Sequence, residues 1–455
     1  MVFLLFYYGI FFKGLQRRQL FDVDVYYHIA TFGIFLTLIL VIIRINRKKR
    51  TDFWKNSTFF LNIMAFFLII IPITSYVNII QDYFNDPLHN WQPSESEYNP
   101  FQKFEVIPTT DIYYLILDGY SRKNVLRDIY DFDNSNFLDN LRDRGFYIAE
   151  KSRSNYLQTA LSLSSSLNIE YLDDLSNKGI NSWNRRPLKK LIANNKVRSI
   201  LSNLGYSFIS VDTGYDYTNI IDSDIYFHKY ININQFEELY LSFTPILIFD
   251  KATWNTIPLF TYQTHRSRVQ YSNNLFSIIP SIPGPKFIFV HFLVPHPPFV
   301  LDRLGDPVSP DWAYTLNDAN LFPGSKEDYI SGYTEQIQYV NKIVIDLIDE
   351  ILANSENQPI IVIQGDHGSR MLTDWSSVEQ SCTWESSSIL NAYLLEDYSN
   401  LYPSITPVNT FRIILNNLAD TSYSLLEDKV YFSNFERPYQ FTDITELSVN
   451  SCINQ

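Results

Sequence analysis

Ile112-Tyr-Tyr-Leu-Ile-Leu-Asp118-Gly119 is a run of apolar and aromatic residues that ends in an acidic residue and a glycine. Such a run is typical of a buried strand, and Asp-Gly alone would indicate no more than a turn. Two later segments repeat the pattern: Phe287-Ile-Phe-Val-His291-Phe-Leu-Val-Pro-His296-Pro-Pro and Ile360-Ile-Val-Ile-Gln-Gly-Asp366-His367-Gly368. Because parallel strands share one carboxyl edge, the polar ends of all three segments are expected to meet there.

Strand-like and helix-like segments alternate from Thr109 onward, which predicts an α/β fold around a mostly parallel central sheet. Strands are predicted at 111–118, 146–150, 207–212, 287–294, 359–364 and 391–396. Helices are predicted at 122–144, 159–168, 187–204, 329–354 and 406–419. The aromatic-rich stretch 214–284 is interpreted as an insertion or cap over the site.

Gly365-Asp366-His367-Gly368 follows the last of the three strands and is the most specific of the polar ends. An aspartate and a histidine side by side on a turn can bind one metal ion together, and the flanking glycines let the backbone bend tightly. With Asp118 from the first strand, the sequence predicts one divalent cation. Mn²⁺, Mg²⁺, Ca²⁺ and Zn²⁺ are all compatible with two carboxylates and an imidazole.

A hydroxyl-rich segment at 154–168 contains Thr159-Ala-Leu-Ser162 and is predicted to open a helix. Serine and threonine are ordinary helix caps, and serine runs are common in loops. The N–H groups of a helix N-terminus also attract anions. If Thr159 lies on the predicted metal, its hydroxyl would be activated as a nucleophile. The neighbouring metal-type motifs favour this second interpretation.

Other polar residues near these motifs have two interpretations each. His291 is either a hydrogen-bonded core histidine or a partner of the metal ligands. Arg370 either contacts a phosphate oxygen or is a solvated surface arginine. Asp224 and His228 have the Asp-x-x-x-His spacing of two-zinc phosphodiesterases, but they lie in the irregular stretch, and we attribute the match to chance.

The N-terminal region has a different character from the rest of the chain. Tyr26 to Ile43 and Phe59 to Ile80 are each long and apolar enough to cross a bilayer. The intervening loop is densely basic, so the positive-inside bias predicts that it is cytoplasmic. Everything after Ile80 is therefore predicted to be extracytoplasmic. A transport protein is disfavoured because the two spans carry no central charged residue.

These features predict four regions of the chain. They are a membrane anchor at 1–81 with two full spans and one partial span, a linker at 82–108, a catalytic domain at 109–435 and a C-terminal tail at 436–455. The partial span, Val2 to Phe12, is interpreted as half of a further membrane helix. The linker is polar and contains several prolines.

The composition excludes some classes of function. The net charge of −13 and the pI near 5.0 argue against nucleic acid as a partner. Two cysteines, Cys382 and Cys452, are too few for a thiolate zinc site. One disulfide between them is possible if the domain is extracytoplasmic.

The order of these motifs along the chain resembles the alkaline phosphatase superfamily, in its sulfatase-like branch. The motifs are Asp118-Gly119, Thr159-Ala-Leu-Ser162, the His291 to Pro298 segment and Gly365-Asp-His-Gly368. Within that branch, the chain most resembles the membrane-anchored lipoteichoic acid synthases and lipid A phosphoethanolamine transferases, over about residues 109–435. The resemblance implies an αβα sandwich, one divalent cation and a covalent enzyme intermediate.

The same resemblance implies roles for individual residues. Asp118, Asp366 and His367 match metal ligands, although these transferases usually carry Glu at the first position. Thr159 matches a threonine that is both ligand and nucleophile. His296, in Pro-His-Pro-Pro, matches the histidine that faces the transferred group and the leaving oxygen. The Cys-x-Pro-x-Arg arrangement of formylglycine sulfatases is absent from the sequence, which disfavours a sulfatase of that type.

The sequence thus predicts a membrane-anchored, metal-dependent hydrolase or transferase that acts on phosphodiesters through a covalent Thr159 intermediate. Phosphoglycerol or phosphoethanolamine transfer is expected, from a lipid-linked donor to an envelope glycan or lipid acceptor. The predicted location is the cell membrane, with several spans and an extracytoplasmic catalytic domain. Two alternatives stay open. One is a sulfuric ester or phosphodiester hydrolase with water as acceptor, and the other is a non-catalytic envelope scaffold.

Overall fold

The structure, a computed structural model, describes residues 81, 84–93, 109–229, 262–312, 314–419, 421–447 and 452. The chain divides into two compact units, and the unit made of Asp86–Lys229 and Thr261–Gln455 contains the elements described below. The predicted membrane spans, the basic loop between them and most of the predicted linker lie outside the described residues. In the part of the chain that is described, no helix is both long and apolar enough to cross a membrane.

A seven-stranded sheet forms the centre of the fold. Its strands are β1 Ile112–Leu117, β2 Tyr147–Ile148, β3 Ser207–Val211, β4 Ile225–Phe227, β5 Lys286–Phe292, β6 Ile360–Gly365 and β7 Asn391–Leu394. The order is β2-β7-β6-β1-β5-β3-β4. Neighbours from β6 to β4 are parallel, whereas β7 is antiparallel to both β6 and β2. The predicted α/β fold with a mostly parallel sheet is confirmed.

Helices lie on both sides of this sheet. They are α1 Lys123–Tyr130, α2 Ser135–Asp143, α3 Thr159–Asn168, α4 Asp173–Gly179, α5 Arg186–Ala193, α6 Lys196–Asn203, α7 Tyr262–Asn274, α8 Lys326–Asn354, α9 Thr383–Ser387 and α10 Pro407–Ala419. On one side, the odd-numbered residues 113–117 of β1 pack in a cluster with α8. On the other side, the even-numbered residues 112–116 pack in a cluster with α3 and α10. Because side chains alternate along a strand, β1 contributes to both cores.

Two predicted helices are each divided in the structure. The helix predicted at 122–144 is interrupted because Asp131 adopts a left-handed conformation, with φ 50°, and ends α1. The helix predicted at 187–204 is interrupted at Asn195, whose side chain accepts a hydrogen bond from the Arg198 N–H and caps α6. Asparagine and aspartate favour these positions because their short side chains bond to the nearby backbone. Helix α3 has the bounds that the sequence predicts.

The register of the central strands brings their polar ends to one edge. Ile116 of β1 lies opposite His291 of β5, and Leu117 lies opposite Gly365 of β6. The Asp118 N–H donates to the carbonyl of Phe292 at 2.9 Å, which extends the pairing by one residue. The three polar segments therefore leave the sheet side by side.

The C-terminal region packs on the same unit. A second small sheet pairs β8, Tyr431–Phe432, with β9, Thr442–Asp443. Tyr439 between them is fully buried. Cys382 and Cys452 form a disulfide, which answers the question that the sequence left open.

Candidate active site

Asp118, Asp366 and His367 meet at the edge where β1 and β6 end. The His367 Nε2 atom is 3.1 Å from Asp118 Oδ1 and 3.4 Å from Asp366 Oδ2. All three side chains are buried. The Gly119 N–H donates to Asp366 Oδ1 at 3.0 Å, so the turn after β1 orients the carboxylate that follows β6.

Thr159 is the first residue of α3 and lies against this cluster. Its Oγ1 atom is 3.2 Å from His367 Nε2. The preceding residue, Gln158, is extended and makes no side-chain cap, so the first turn of α3 keeps N–H groups that no side-chain cap satisfies. Residues separated by more than two hundred positions in the sequence thus form one site, as the strand pattern predicts.

His291 lies next to the carboxylates of Asp118 and Asp366. Its Nε2 atom is 3.3 Å from Asp118 Oδ2 and 4.0 Å from Asp366 Oδ2. Its Nδ1 atom is hydrogen-bonded to the Thr218 hydroxyl at 3.1 Å. Burial alone would raise the pKa of the Asp118 carboxyl, but His296, His291 and His367 together hold that pKa well below its usual range. Asp118 is therefore ready to act as an anionic ligand.

His296 follows β5 on the other side of the cluster. Its Nδ1 atom donates to the carbonyl of Pro297, because a carbonyl oxygen can only accept. This bond leaves Nε2 available, and Nε2 is 3.4 Å from Asp318 Oδ2. The Gln336 amide of α8 donates to the His296 carbonyl at 3.2 Å and holds the loop in place.

Arg370 is buried rather than solvated, with 6% of its surface exposed. Its Nη2 atom contacts His367 Nε2, and its Nε atom is 3.2 Å from Asp318 Oδ2. Its guanidinium carbon lies 5.1 Å from the centre of the Trp375 ring. The interpretation of Arg370 as a surface arginine is therefore wrong.

Asp318 is a site residue that the sequence analysis missed. It is buried and lies between His296 Nε2 and Arg370 Nε, while its Oδ1 atom accepts from the Ala319 N–H at 2.7 Å. No sequence pattern marks it, because it belongs to a loop and follows no strand. Its carboxylate thus lies between the imidazole of His296 and the guanidinium of Arg370.

Glu385 of α9 supports the segment that carries Arg370. This fully buried carboxylate accepts hydrogen bonds from the Tyr130 hydroxyl, the Ser369 hydroxyl and the N–H groups of Met371 and Leu372. Burial raises its pKa to about 7. The Cys382 sulfur accepts from the Glu385 N–H at 3.4 Å, so a cysteine of the disulfide is bonded directly to the residue that supports the Arg370 segment.

The donor set fits a divalent cation. Two groups of ligand atoms, each within 4.8 Å of one another, are Asp118 with His296 and His367, and Asp118 with His291 and Asp366. Asp118 Oδ1 and Asp366 Oδ2 are buried without a hydrogen-bond partner, although buried carboxylate oxygens are normally satisfied. The His367 Nδ1–H donates to the Gly368 carbonyl at 2.7 Å, so the Nε2 lone pair, which faces Arg370 and Thr159, is the one that could bind a metal.

Asp224 and His228 are not part of this donor set. Asp224 accepts from the Phe208 N–H at 2.7 Å, and His228 stacks on Tyr226 beside the edge strand β4. Among the described residues, neither belongs to a group with metal-ligand spacing.

Comparison with known proteins adds a family match. The family model "Sulfatase" matches residues 110–411. Similar solved structures include the C-terminal periplasmic domain of EptC from Escherichia coli, at 13% identity over 76% of this chain and 95% of that chain, with a TM-score of 0.48. The lipooligosaccharide phosphoethanolamine transferase EptA from Neisseria meningitidis is 10% identical over 78% and 67% of the two chains, with a TM-score of 0.44. A 2-O GAG sulfatase is 13% identical over 70% and 72%, with a TM-score of 0.45. No curated protein matches the sequence.

Proposed function

The chain belongs to the sulfatase family and is a sulfatase-like hydrolase or phosphotransferase, and from this premise we propose that it acts on phosphodiesters through a covalent intermediate on Thr159. One observation carries the proposal. Thr159 is the first residue of the buried helix α3. Its Oγ1 atom lies 3.2 Å from His367 Nε2, beside the buried carboxylates of Asp118 and Asp366. A nucleophile, an anion-attracting helix terminus and a metal-type donor set in one place are the components of phosphoryl transfer.

The Thr159 hydroxyl gives up its proton to solvent, its Oγ1 atom attacks phosphorus as the alkoxide, and the bond from phosphorus to the leaving oxygen breaks on the opposite side. The positive end of the α3 dipole, with the N–H groups at its N-terminus, stabilises the negative charge on the transferred group. His296 Nε2 donates a proton to the leaving oxygen, which typically contributes about a hundredfold to ten-thousandfold. Asp318, whose Oδ2 atom is 3.4 Å from His296 Nε2, keeps the imidazole oriented.

Asp118, Asp366 and His367 would hold one divalent cation, which supplies Lewis-acid chemistry by lowering the pKa of the Thr159 hydroxyl and offsetting charge on the phosphoryl group. In the second half of the reaction, His296 Nε2 takes a proton from water or from an acceptor hydroxyl. The resulting oxygen attacks phosphorus and releases Thr159 Oγ1. Transfer and hydrolysis differ only in this acceptor.

The proposed location is the cell membrane, with the catalytic domain outside the cytoplasm. The positive-inside bias of the loop between the two predicted spans supports this orientation. The Cys382–Cys452 disulfide supports it too, because disulfides persist in oxidising compartments. A membrane-tethered enzyme of this orientation has ready access to a lipid-linked donor and to envelope glycan or lipid acceptors.

The direct test is to trap the intermediate. The full-length protein in detergent is incubated with phospholipids that carry labelled head groups, and the peptide containing Thr159 is analysed by mass spectrometry. We expect a phosphorylated head group on Thr159 and the release of diacylglycerol. The mass of the adduct identifies the group, and added water or glycan acceptors show where it goes. Diacylglycerol release without any label on Thr159 would refute the covalent mechanism.

We also predict an effect of Asp318→Asn, which removes the negative charge between His296 and Arg370. Turnover should fall about tenfold to a hundredfold, because the imidazole of His296 loses the carboxylate that orients it and Arg370 loses its ion-pair partner. Steady-state phosphodiester hydrolysis measures this effect.

Asp374→Asn is the matched control for that variant. Asp374 lies four residues after Arg370, and its carboxylate accepts from the Ser376 N–H at 2.8 Å and from the Asn320 amide at 3.1 Å. It should keep the turnover of the wild-type protein. Equal turnover in Asp318→Asn and Asp374→Asn would contradict the positioning role of Asp318.

A further inference from the structure

Arg185 is a half-buried cation next to the helix that carries Thr159. Its Nη2 atom donates to the side-chain oxygen of Gln158 at 2.8 Å and to the Phe435 carbonyl at 2.6 Å. Its guanidinium carbon lies 4.5 Å from the centre of the Phe435 ring. Gln158 directly precedes Thr159, so these hydrogen bonds hold the Arg185 side chain at the N-terminus of α3.

The bonds of Arg185 leave part of its guanidinium unused. Among the described residues, its partners are two neutral oxygens and one aromatic ring, and none is a carboxylate. Both hydrogen bonds use Nη2, so Nη1 and Nε are free for another acceptor. Arg198 and Arg144, by contrast, each pair with an aspartate. A partly desolvated guanidinium without a counter-charge is suited to an anionic ligand.

Aromatic rings connect Arg185 with the cluster of Asp118, Asp366 and His367. Phe435, which is 52% exposed, lies 6.0 Å from Trp375 between ring centres. Trp375 in turn lies under the guanidinium of Arg370, which contacts His367. We call Arg185, Phe435, Trp375 and Arg370 the arginine–aromatic row. It runs from the buried site to an exposed ring face.

Two tyrosines, Tyr215 and Tyr217, lie near His291. The Tyr215 ring is 5.8 Å from the His291 ring and 5.3 Å from the Tyr217 ring. Burial raises the pKa of Tyr217, and the positive charge of Arg185 opposes that rise, so the two residues are within electrostatic range. Tyr215 therefore contacts His291 of the site, and Tyr217 lies within electrostatic range of Arg185.

We propose that Arg185 and Phe435 form a subsite for a sugar ring that carries a second anionic group, next to the phosphoryl group that reacts at Thr159. The exposed Phe435 face suits the apolar face of a pyranose, and the planar guanidinium fork suits a carboxylate or a phosphate. This inference rests on the proposed function and narrows it, because it names an anionic glycan as the acceptor or leaving part of the substrate.

The test compares three ligands that share one ring and one anomeric phosphate. Glucosyl phosphate has a neutral C6 group, glucuronosyl phosphate has a carboxylate there, and glucose bisphosphate has a second phosphate. Calorimetry with the full-length, metal-loaded protein measures their dissociation constants. We expect at least one of the two sugars that carry a second anionic group to bind about tenfold to a hundredfold more tightly than glucosyl phosphate, as for a charge-assisted pair. The preferred ligand distinguishes a carboxylate from a phosphate.

Arg185→Gln should bring the ratio of two dissociation constants, that of glucosyl phosphate and that of the preferred sugar, close to unity. Arg185→Lys should restore part of the preference, since it keeps the charge but loses the fork. Arg186→Gln is the matched control, because Arg186 is the next residue, is exposed and lies outside the arginine–aromatic row. It should keep the wild-type ratio. Phe435→Ala should weaken the binding of all three sugars, and Phe435→Trp should recover it.

Each outcome of these binding measurements either supports or overturns the proposed subsite. No preference for a second charge in the wild-type protein, or a preference that survives Arg185→Gln, overturns the subsite. Failure of all three sugars to bind overturns it as well. These measurements need no turnover, so an absent Thr159 adduct would refute the proposed chemistry while leaving the binding result readable.

Discussion

Replacing Thr159 by alanine should reduce phosphodiester turnover by at least about ten thousandfold, as expected when a covalent nucleophile is removed. The Oγ1 atom is the group that would form the bond to phosphorus, and no other hydroxyl of the first turn is bonded to His367. The fold should survive, because alanine favours a helix and the cap residue is Gln158. Turnover of a labelled phospholipid, together with thermal unfolding, measures both effects.

Ser166→Ala provides the control within the same helix. Its hydroxyl is buried, donates to the Leu163 carbonyl at 3.4 Å and accepts from the Tyr114 hydroxyl at 3.3 Å, two turns from Thr159. It should keep its turnover and lose about 1–3 kcal/mol of unfolding free energy, because the Tyr114 hydroxyl loses its acceptor. Thr159→Ser should retain measurable activity, because the hydroxyl remains. Full activity in Thr159→Ala with an intact fold would exclude Thr159 as the nucleophile.

The strands and their polar ends are predictable from the sequence because they obey local rules. A strand buried on both faces needs an apolar run, which β1 has over its whole length, β5 at 287–290 and β6 at 360–363. The polar residue after each run has to lie at the carboxyl edge. The convergence of Asp118, His291 and Asp366 follows from these two facts and from the parallel order of the strands.

Other parts of the site depend on tertiary contacts that no local pattern encodes. Asp318 and Arg185 come from loops, and each is positioned by partners distant in sequence: Arg370 and His296 for the first, Gln158 and Phe435 for the second. The periodicity of apolar residues also fails to predict helix ends that depend on a single residue. Asp131 and Asn195 divide two predicted helices through a left-handed backbone and a capping bond, although the surrounding apolar pattern continues.

Asp366→Asn should abolish metal binding while preserving the fold. The Oδ1 atom of Asp366 accepts from the Gly119 N–H, and an asparagine oxygen can keep that bond. The Oδ2 atom has no hydrogen-bond partner, so the substitution removes the charge from the one atom left for a cation. The metal content of the purified protein should fall from about one ion per chain to nearly none. Turnover should fall by about a thousandfold or more, because several kcal/mol of charge stabilisation are lost.

Thermal unfolding with and without metal separates this effect from misfolding. A ligand that binds only the folded state stabilises it by about 2.7 kcal/mol at a hundredfold excess over its dissociation constant. The wild-type protein and the Asp374→Asn control should show that rise, and Asp366→Asn should not. Without metal, the variant should be at least as stable as the wild type, because a buried charge has been removed. A wild-type protein that holds no stoichiometric ion would instead favour a non-catalytic scaffold, since the buried carboxylates would then have no cation to bind.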